Sequence, residues 1–107
     1  MTESEWLASG EPDLMLEHLM GQVNREQLVQ FVRECWRRIA DEIPPIPHET
    51  TVVEQFAEIV NRQSDYDAVI YASEAALKAA GLAADMRKEQ RCQAELLRRI
   101  VGNPFRS

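Results

Sequence analysis

The sequence predicts an all-α fold, a compact bundle of four to six helices in which two short N-terminal helices precede longer ones. Apolar residues recur at three- and four-residue spacing, which places them on one face of a helix. Each of the four glycines, Gly10, Gly21, Gly81 and Gly102, follows a segment of helical character and is interpreted as a helix stop. The sequence has no alternating runs flanked by hairpin turns, which would indicate a sheet. Its 107 residues predict a single helical domain, 1–107.

Two short helices are predicted at the N-terminus. Thr2 and Glu5 have the spacing of a capping box, so the first helix is expected to run to about Ser9. Pro12 suits the first turn of the second helix, because its missing N–H costs nothing there. The apolar face of the second helix ends at Gly21 and comprises Leu14, Met15, Leu16, Leu19 and Met20.

A longer third helix is predicted from about Arg25 to Asp41. Asn24 and Gln27 have the spacing of an N-terminal cap. The apolar stripe of this helix comprises Leu28, Phe31 or Val32, Cys35, Trp36 and Ile39. A stiff, extended proline connector is expected over 43–47, because proline lacks a backbone donor and disfavours helical geometry in the preceding residue.

The second half of the chain is also predicted to be helical. From about Glu49 to Asn61 the apolar spacing is nearer 3.6 than 2, which favours a helix over a strand. Ser64 caps the next helix, whose apolar residues before Gly81 are Tyr66, Val69, Ile70, Ala76, Leu77 and Ala80. Two arrangements stay open for 65–101. Either the chain turns at Gly81 into a hairpin, or one long helix includes this glycine at a cost of about 1 kcal/mol.

The formal net charge of the chain is −6, and residues 1–53 carry the whole acidic excess. Affinity for phosphates depends on clustered Lys and Arg, so no nucleic-acid partner is expected. No apolar run approaches the roughly 20 residues that span a bilayer, so no membrane partner is expected. The first residues lack the basic and apolar regions of a secretory signal, and a cytoplasmic location is therefore expected.

The sequence predicts no catalytic residue, no cofactor and no metal site. Its two histidines and two cysteines include no short-spaced pair of the kind that metal sites use. Cys35 lies on the apolar stripe of the third helix and is interpreted as a core thiol. Cys92 is interpreted as a surface thiol, which its basic neighbours would activate if it is exposed. His18 and His48 are assigned solvated or capping roles. Phosphate-binding glycine loops and the G-x-S-x-G motif are absent.

The candidate partner surface is basic. Arg87, Arg91 and Arg98 are spaced by four and seven residues, which places them along one side of the last helix with Lys88 adjacent. This stripe suggests an acidic partner, either the acidic N-terminal segment of the same chain or that of another copy. The alternative is a solvated helix face, because acidic residues are interleaved. Apolar residues are sparse over 87–93, so this part of the helix is expected to project from the core.

The tail 102–107 contains one large aromatic residue, Phe105. In one interpretation Phe105 is a clamp that folds back onto Ile100 or the core, which avoids exposing its apolar area on a short tail. In the other, Phe105 is an exposed docking motif for a partner. Trp6 and Trp36 are interpreted as core anchors rather than ligand-stacking platforms.

Four segments carry a resemblance. They are T-E-S-E-W-L at 2–7, M-L-E-x-L at 15–19, R-R-I at 37–39 and L-L-R-R-I-V-G-N-P-F-R at 96–106. Together they resemble a paralogous group of small bacterial proteins from planctomycete-type genomes, with the terminal G-N-P-F-R as the most specific element. Members often carry two adjacent cysteines before the Arg-Arg pair, where this sequence has Cys35 and Trp36. The resemblance supports a single domain and carries no activity, cofactor or catalytic residue.

The sequence therefore favours a non-catalytic protein-interaction or accessory module, whose partner is another protein or a second copy in a homodimer. The alternative is a small ligand-binding protein or enzyme with a site assembled from scattered acids, His48, Tyr66 or Cys92. A deep polar pocket with converging titratable groups would favour that alternative. Nucleic-acid binding through the last helix is a third hypothesis, and it predicts a steep salt dependence.

Overall fold

Six α-helices make up the part of the chain that the structure, a computed structural model, describes: residues 1–39 and 49–105, with side chains from residue 54 in the second range. They are α1 (Glu3–Ala8), α2 (Pro12–His18), α3 (Arg25–Ile39), α4 (Glu49–Asn61), α5 (Asp65–Leu82) and α6 (Met86–Val101). No strand occurs in these two ranges. The prediction of an all-α bundle with two short helices before longer ones is confirmed. The proline connector 43–47 and His48 lie outside the described residues.

The predicted helix caps are present as reciprocal hydrogen bonds. The backbone N–H of Glu5 donates to Thr2 Oγ1 over 3.2 Å, and the N–H of Thr2 donates to Glu5 Oε1 over 3.0 Å. These bonds to Thr2 lower the pKa of the Glu5 carboxyl. The N–H of Gln27 donates to Asn24 Oδ1 over 2.9 Å, and the Ser64 hydroxyl accepts from the first turn of α5. Local sequence therefore fixes where α1, α3 and α5 begin.

The third helix lies at the centre of the bundle and packs against α4, α5 and α6. Its predicted apolar stripe is buried: Leu28, Phe31, Val32, Cys35, Trp36 and Ile39. The Trp36 ring stacks on Phe56 of α4, with ring centroids 5.0 Å apart. Trp6 of α1 is fully buried in the same core. The interpretation of both tryptophans as core anchors is confirmed.

Helices α5 and α6 form a hairpin, which decides between the two arrangements that the sequence leaves open. The chain turns over 83–85, and Gly81 lies in the last helical turn of α5, so its interpretation as a stop is wrong. The helix ends instead where Ala83 takes an extended backbone conformation. Asp85 then caps α6, because its carboxylate accepts from the N–H of Lys88 over 3.2 Å.

Gly10 also has a different role from the one predicted. The end of α1 is Ser9, with an extended backbone, and only Gly21 and Gly102 adopt a positive φ among the described glycines. A Cβ atom on Gly10 would lie 2.9 Å from Cγ of Arg91, which is closer than carbon atoms pack. Gly10 therefore leaves room for the stem of the Arg91 side chain, and it does not adopt a left-handed turn.

The middle of α6 packs against the core, so the expectation that it projects is wrong. Its buried positions are polar: Glu89 is 5% exposed and Gln93 is fully buried. Arg38 of α3 donates from Nε to Glu89 Oε1 over 2.9 Å, and from Nη2 to Oε2 over 3.4 Å. Gln93 Nε2 donates to the carbonyl of Ala76 in α5 over 2.9 Å. Hydrogen bonding compensates the burial of the Glu89 carboxylate and of Gln93 Nε2, whereas Gln93 Oε1 is buried without a partner among the described residues.

The Arg38–Glu89 ion pair predicts that truncation of Arg38 lowers stability more than truncation of its neighbour Arg37. Arg38→Ala leaves a buried carboxylate without its cation, so we expect the free energy of unfolding to fall by about 2 kcal/mol. Arg37→Ala, at an exposed neighbouring position of the same helix, is the matched control and should change stability by less than about 0.5 kcal/mol. Urea unfolding followed by circular dichroism measures both, and equal losses would contradict the assignment.

Candidate functional site

Three of the predicted partner residues form an exposed cationic group on the first half of α6. Arg87, Lys88 and Arg91 are all exposed, and we call them the α6 cations. Arg87 and Lys88 lie in the first helical turn, directly after the N-cap at Asp85. The stem of Arg91 lies against Gly10, at the entry to α2. The structure therefore brings these three side chains together at one end of α6.

Arg98 is engaged within the chain and does not extend this exposed group. Its guanidinium is half-buried, and Nη1 donates to the carbonyl oxygens of Trp6 over 3.1 Å and Ser9 over 2.9 Å. These carbonyls lie at the end of α1, where the helix has no further N–H groups to pair with them. Arg98 thus contacts the N-terminal segment through backbone carbonyls, and its role is to fix α1 on α6.

Phe105 folds back onto the bundle and stacks on His18. The two ring centroids are 4.9 Å apart and the planes differ by 15°. Trp6 lies on the far side of His18, 6.5 Å from it and tilted by 51°. Phe105 thus folds back as in the clamp interpretation, with His18 in place of Ile100, and the half-buried His18 ring has an aromatic contact that its predicted solvated or capping role does not include. Phe105 is 37% exposed and contributes to the fold.

A row of large apolar side chains on α5 faces outward, which the sequence reasoning missed. Tyr66 is 56%, Ile70 46% and Leu77 52% exposed. With Ser73 and Gly81 they occupy every third or fourth position, so they lie along one side of the helix. We call these five residues the α5 face. The opposite side of α5 is buried and rich in small residues: Ala68, Val69, Ala72, Ala75, Ala76, Ala79 and Ala80.

A groove of about 270 Å³ runs between α2 and α5 beside the α5 face. Met20 and Ile70 supply apolar surface in this groove. Asp13, Glu17 and Glu74 add carboxylates to its lining. The groove thus combines apolar surface with negative charge.

A second groove, of about 640 Å³, lies between α3 and α4 and bears on the ligand-binding alternative. An ion pair between Arg33 and Glu54, 3.0 Å long, joins the two helices there. Four acids line this groove, Glu26, Glu34, Glu54 and Glu58, whereas Tyr66 and Cys92, which the alternative also names, do not. Tyr66 and Cys92 also lie far from each other. Gln93, the neighbour of Cys92, contacts the Ala76 carbonyl, and Tyr66 at the start of α5 lies about 15 Å along the helix from that carbonyl.

The two cysteines differ in environment, and both are free thiols. Burial, with a smaller contribution from the charge of Glu89, raises the pKa of Cys35. Cys92 is half-buried. The interpretation of Cys35 as a core thiol is confirmed, since its side chain is fully buried among apolar residues. Among the described residues, no three His, Cys, Asp or Glu side chains converge as metal ligands would.

Thiol labelling distinguishes these environments. In the native protein at about pH 8, iodoacetamide should modify Cys92 well before Cys35, because only thiolates react and burial disfavours the Cys35 thiolate. Peptide mass spectrometry over time measures both sites, and the same reaction in denaturant is the control. Equal labelling rates in the native protein would show that Cys35 is not held in a closed core.

Truncation of the basic residues should separate structural arginines from surface ones. Arg98→Ala removes two hydrogen bonds to the end of α1, and we expect a loss of about 2 kcal/mol in the free energy of unfolding. Arg87→Ala, on the exposed part of the same helix, should change stability by less than about 0.5 kcal/mol. Thermal and urea unfolding provide the comparison. A stable Arg98→Ala variant would mean that the α1 contact contributes nothing.

Within the two described ranges, no helix combines the length and the apolar character that crossing a membrane requires. No family model, curated protein or solved structure matches the chain. We therefore infer function from the surfaces of this chain alone.

Proposed function

We propose that this protein is a non-catalytic interaction module that binds a protein partner through the α5 face and the neighbouring α6 cations. The observation that carries the proposal is the exposure of Tyr66, Ile70 and Leu77 in one row on the longest helix. A row of large exposed apolar side chains on one helix is a candidate interaction site. The opposite, buried side of α5 supplies most of its packing, and about half of each of these three side chains is left at the surface.

The α6 cations support the same proposal. Arg87 and Lys88 lie in the first turn of α6, where the helix dipole disfavours positive charge by roughly 0.3–1 kcal/mol per residue. Neither takes part in the ion pairs found within the described residues. Their position therefore lowers helix stability, and none of these ion pairs offsets the loss, as expected of residues that act on a partner.

The thiols support a reducing, cytoplasmic location as part of this proposal. Cys35 and Cys92 are both unpaired, and free thiols persist in compartments where glutathione and thioredoxin keep them reduced. The partner is accordingly a cytoplasmic protein surface. Its recognition chemistry combines apolar side chains for the α5 face with acidic groups for the α6 cations and basic groups for the carboxylates of α2.

A pull-down tests the module. The tagged chain is incubated with lysate of its source cells, and retained proteins are identified by mass spectrometry. Leu77→Glu should lower retention of the partner at least about tenfold, because burying an unpaired carboxylate costs more than 1.4 kcal/mol. Leu7→Glu, at an equally exposed leucine of α1, is the matched control and should bind as the wild type does.

Folding of each variant is checked by circular dichroism before the comparison. Retention of the same proteins by wild type and Leu77→Glu would overturn the α5 face as the binding surface. Loss of binding in both leucine variants would likewise count against a site confined to α5.

A further inference from the structure

The α5 face has the same pattern when it is followed in either direction. Counted from its centre beside Ser73, Ile70 and Leu77 lie equally far to the two sides. Tyr66 and Gly81 lie equally far again, about one turn further out. Ile70 is thus at the mirror position of Leu77, a branched side chain of similar volume. Tyr66, the largest side chain of the row, is at the mirror position of Gly81, which has no side chain. This is the arrangement that a self-complementary surface needs.

The fold leaves Gly81 unexplained. It lies in the last turn of α5 without a positive φ, and a Cβ atom there would meet no other atom within 4 Å. Glycine inside a helix is unfavourable relative to alanine, so neither conformation nor packing within one chain accounts for it. A residue without a side chain at this outward position leaves room for a side chain from outside.

Charges on the N-terminal half of the α5 face are acidic along one side. The groove beside Ile70 is lined by Asp13 and Glu17 of α2. Along the other side of the helix, Asp67 lies towards the N-terminal end and Lys78 towards the C-terminal end. Lys78 Nζ also lies 5.6 Å above the ring of Phe56, which holds this cation at the surface between α4 and α5.

Charges on the C-terminal half are net positive, because Lys78 and the three α6 cations outnumber the acids Glu74 and Asp85. Gln93 of α6 bonds to the Ala76 carbonyl, so the middle of α6 lies beside the middle of α5. Because α5 and α6 run in opposite directions, the first turn of α6, with Arg87 and Lys88, lies at the same end of the bundle as Gly81, while Arg91 lies against Gly10. The α5 face is thus acidic at one end and basic at the other.

We propose that the occupant of the α5 face is a second copy of this chain, with the two α5 helices antiparallel about a two-fold axis that passes beside Ser73. The inference rests on the proposed function and names the partner for it. Ile70 of each copy packs on Leu77 of the other, and the ring of Tyr66 covers Gly81 of the other. Each contact occurs twice, as in a closed two-fold dimer.

The charges select this antiparallel orientation. It places Asp67 of one copy beside Lys78 of the other, and the carboxylates of α2 opposite the α6 cations. A parallel pair would place like charges together at both ends. Only Glu74, close to the axis, meets its own equivalent, so this residue weakens the dimer. The α5 face is about 23 Å long and one helix wide, so the buried area is expected to be small and the dissociation constant to lie in the micromolar range.

Sedimentation equilibrium of the purified full chain, from about 1 to 500 µM, is the first measurement. We expect a monomer–dimer equilibrium whose association weakens as salt is added.

Ile70→Glu and Gly81→Gln should each raise the dissociation constant at least about tenfold. Gly81→Gln should melt at or above the wild-type temperature, which separates loss of the dimer from loss of the fold. Glu74→Gln should strengthen the dimer, and Ile59→Glu on α4 is the control that leaves it unchanged.

A charge exchange tests the orientation. Asp67→Lys alone and Lys78→Glu alone should each dimerise more weakly than the wild type. Each change places like charges together at both edges of the interface, where residue 67 of one copy lies beside residue 78 of the other. A 1:1 mixture of the two variants should recover association as a heterodimer, since opposite charges then meet at both edges. Failure of the mixture to recover would overturn the antiparallel arrangement.

A wild-type chain that stays monomeric over this range would overturn the second copy as occupant. The interaction module would then stand or fall by the Leu77→Glu pull-down, in which a different retained protein identifies another occupant. A dimer that is insensitive to both Ile70→Glu and Gly81→Gln would place the self-association elsewhere and overturn the α5 pairing.

Discussion

The burial of one carboxylate, Glu89, constrains the rest of the structure. A buried charge is tolerated only beside a cation, so α6 must present Glu89 to Arg38 of α3. The hydrogen bond raises the pKa of Arg38 further, which keeps the guanidinium charged. Gln93, one turn later, then reaches the Ala76 carbonyl of α5. These two polar contacts fix the rotation of α6 about its own axis.

That rotation determines what the surface offers. With Glu89 and Gln93 facing inward, helical periodicity turns Arg87 and Arg91 outward. The same periodicity directs Arg98 towards the end of α1, seven residues after Arg91. One stripe of arginines in the sequence thereby performs two tasks. Its first part remains at the surface, and its last member holds the N-terminal helix.

The sequence predicts the fold well wherever the signal is local. The caps at Thr2, Asn24 and Ser64 and the stripe of α3 depend on residues a few positions apart, and the structure contains all of them. The site is less predictable because its geometry depends on partners far along the chain. Glu89 is buried only because Arg38, 51 residues away, is beside it.

The α5 face shows a second reason why the candidate site is hard to predict from the sequence. Hydropathy ranks Ile70 and Leu77 above alanine, so sequence reasoning places them in the same apolar set as the buried residues. The structure buries the alanines instead, because small side chains let α5 lie close to α3. The sequence nevertheless contains a sign of the exposed row, because α5 has two separate apolar rows and only one of them can face the core.

The contact of Arg98 with α1 also determines the order in which the molecule assembles. Its bond to the Trp6 carbonyl joins residues 92 positions apart, and the stacking of Phe105 on His18 spans a similar stretch. Closing so long a loop early costs chain entropy with little local gain. We therefore expect α1 to dock only after α6 has formed. Until then the large apolar side chain of Trp6 stays exposed in the partly folded chain.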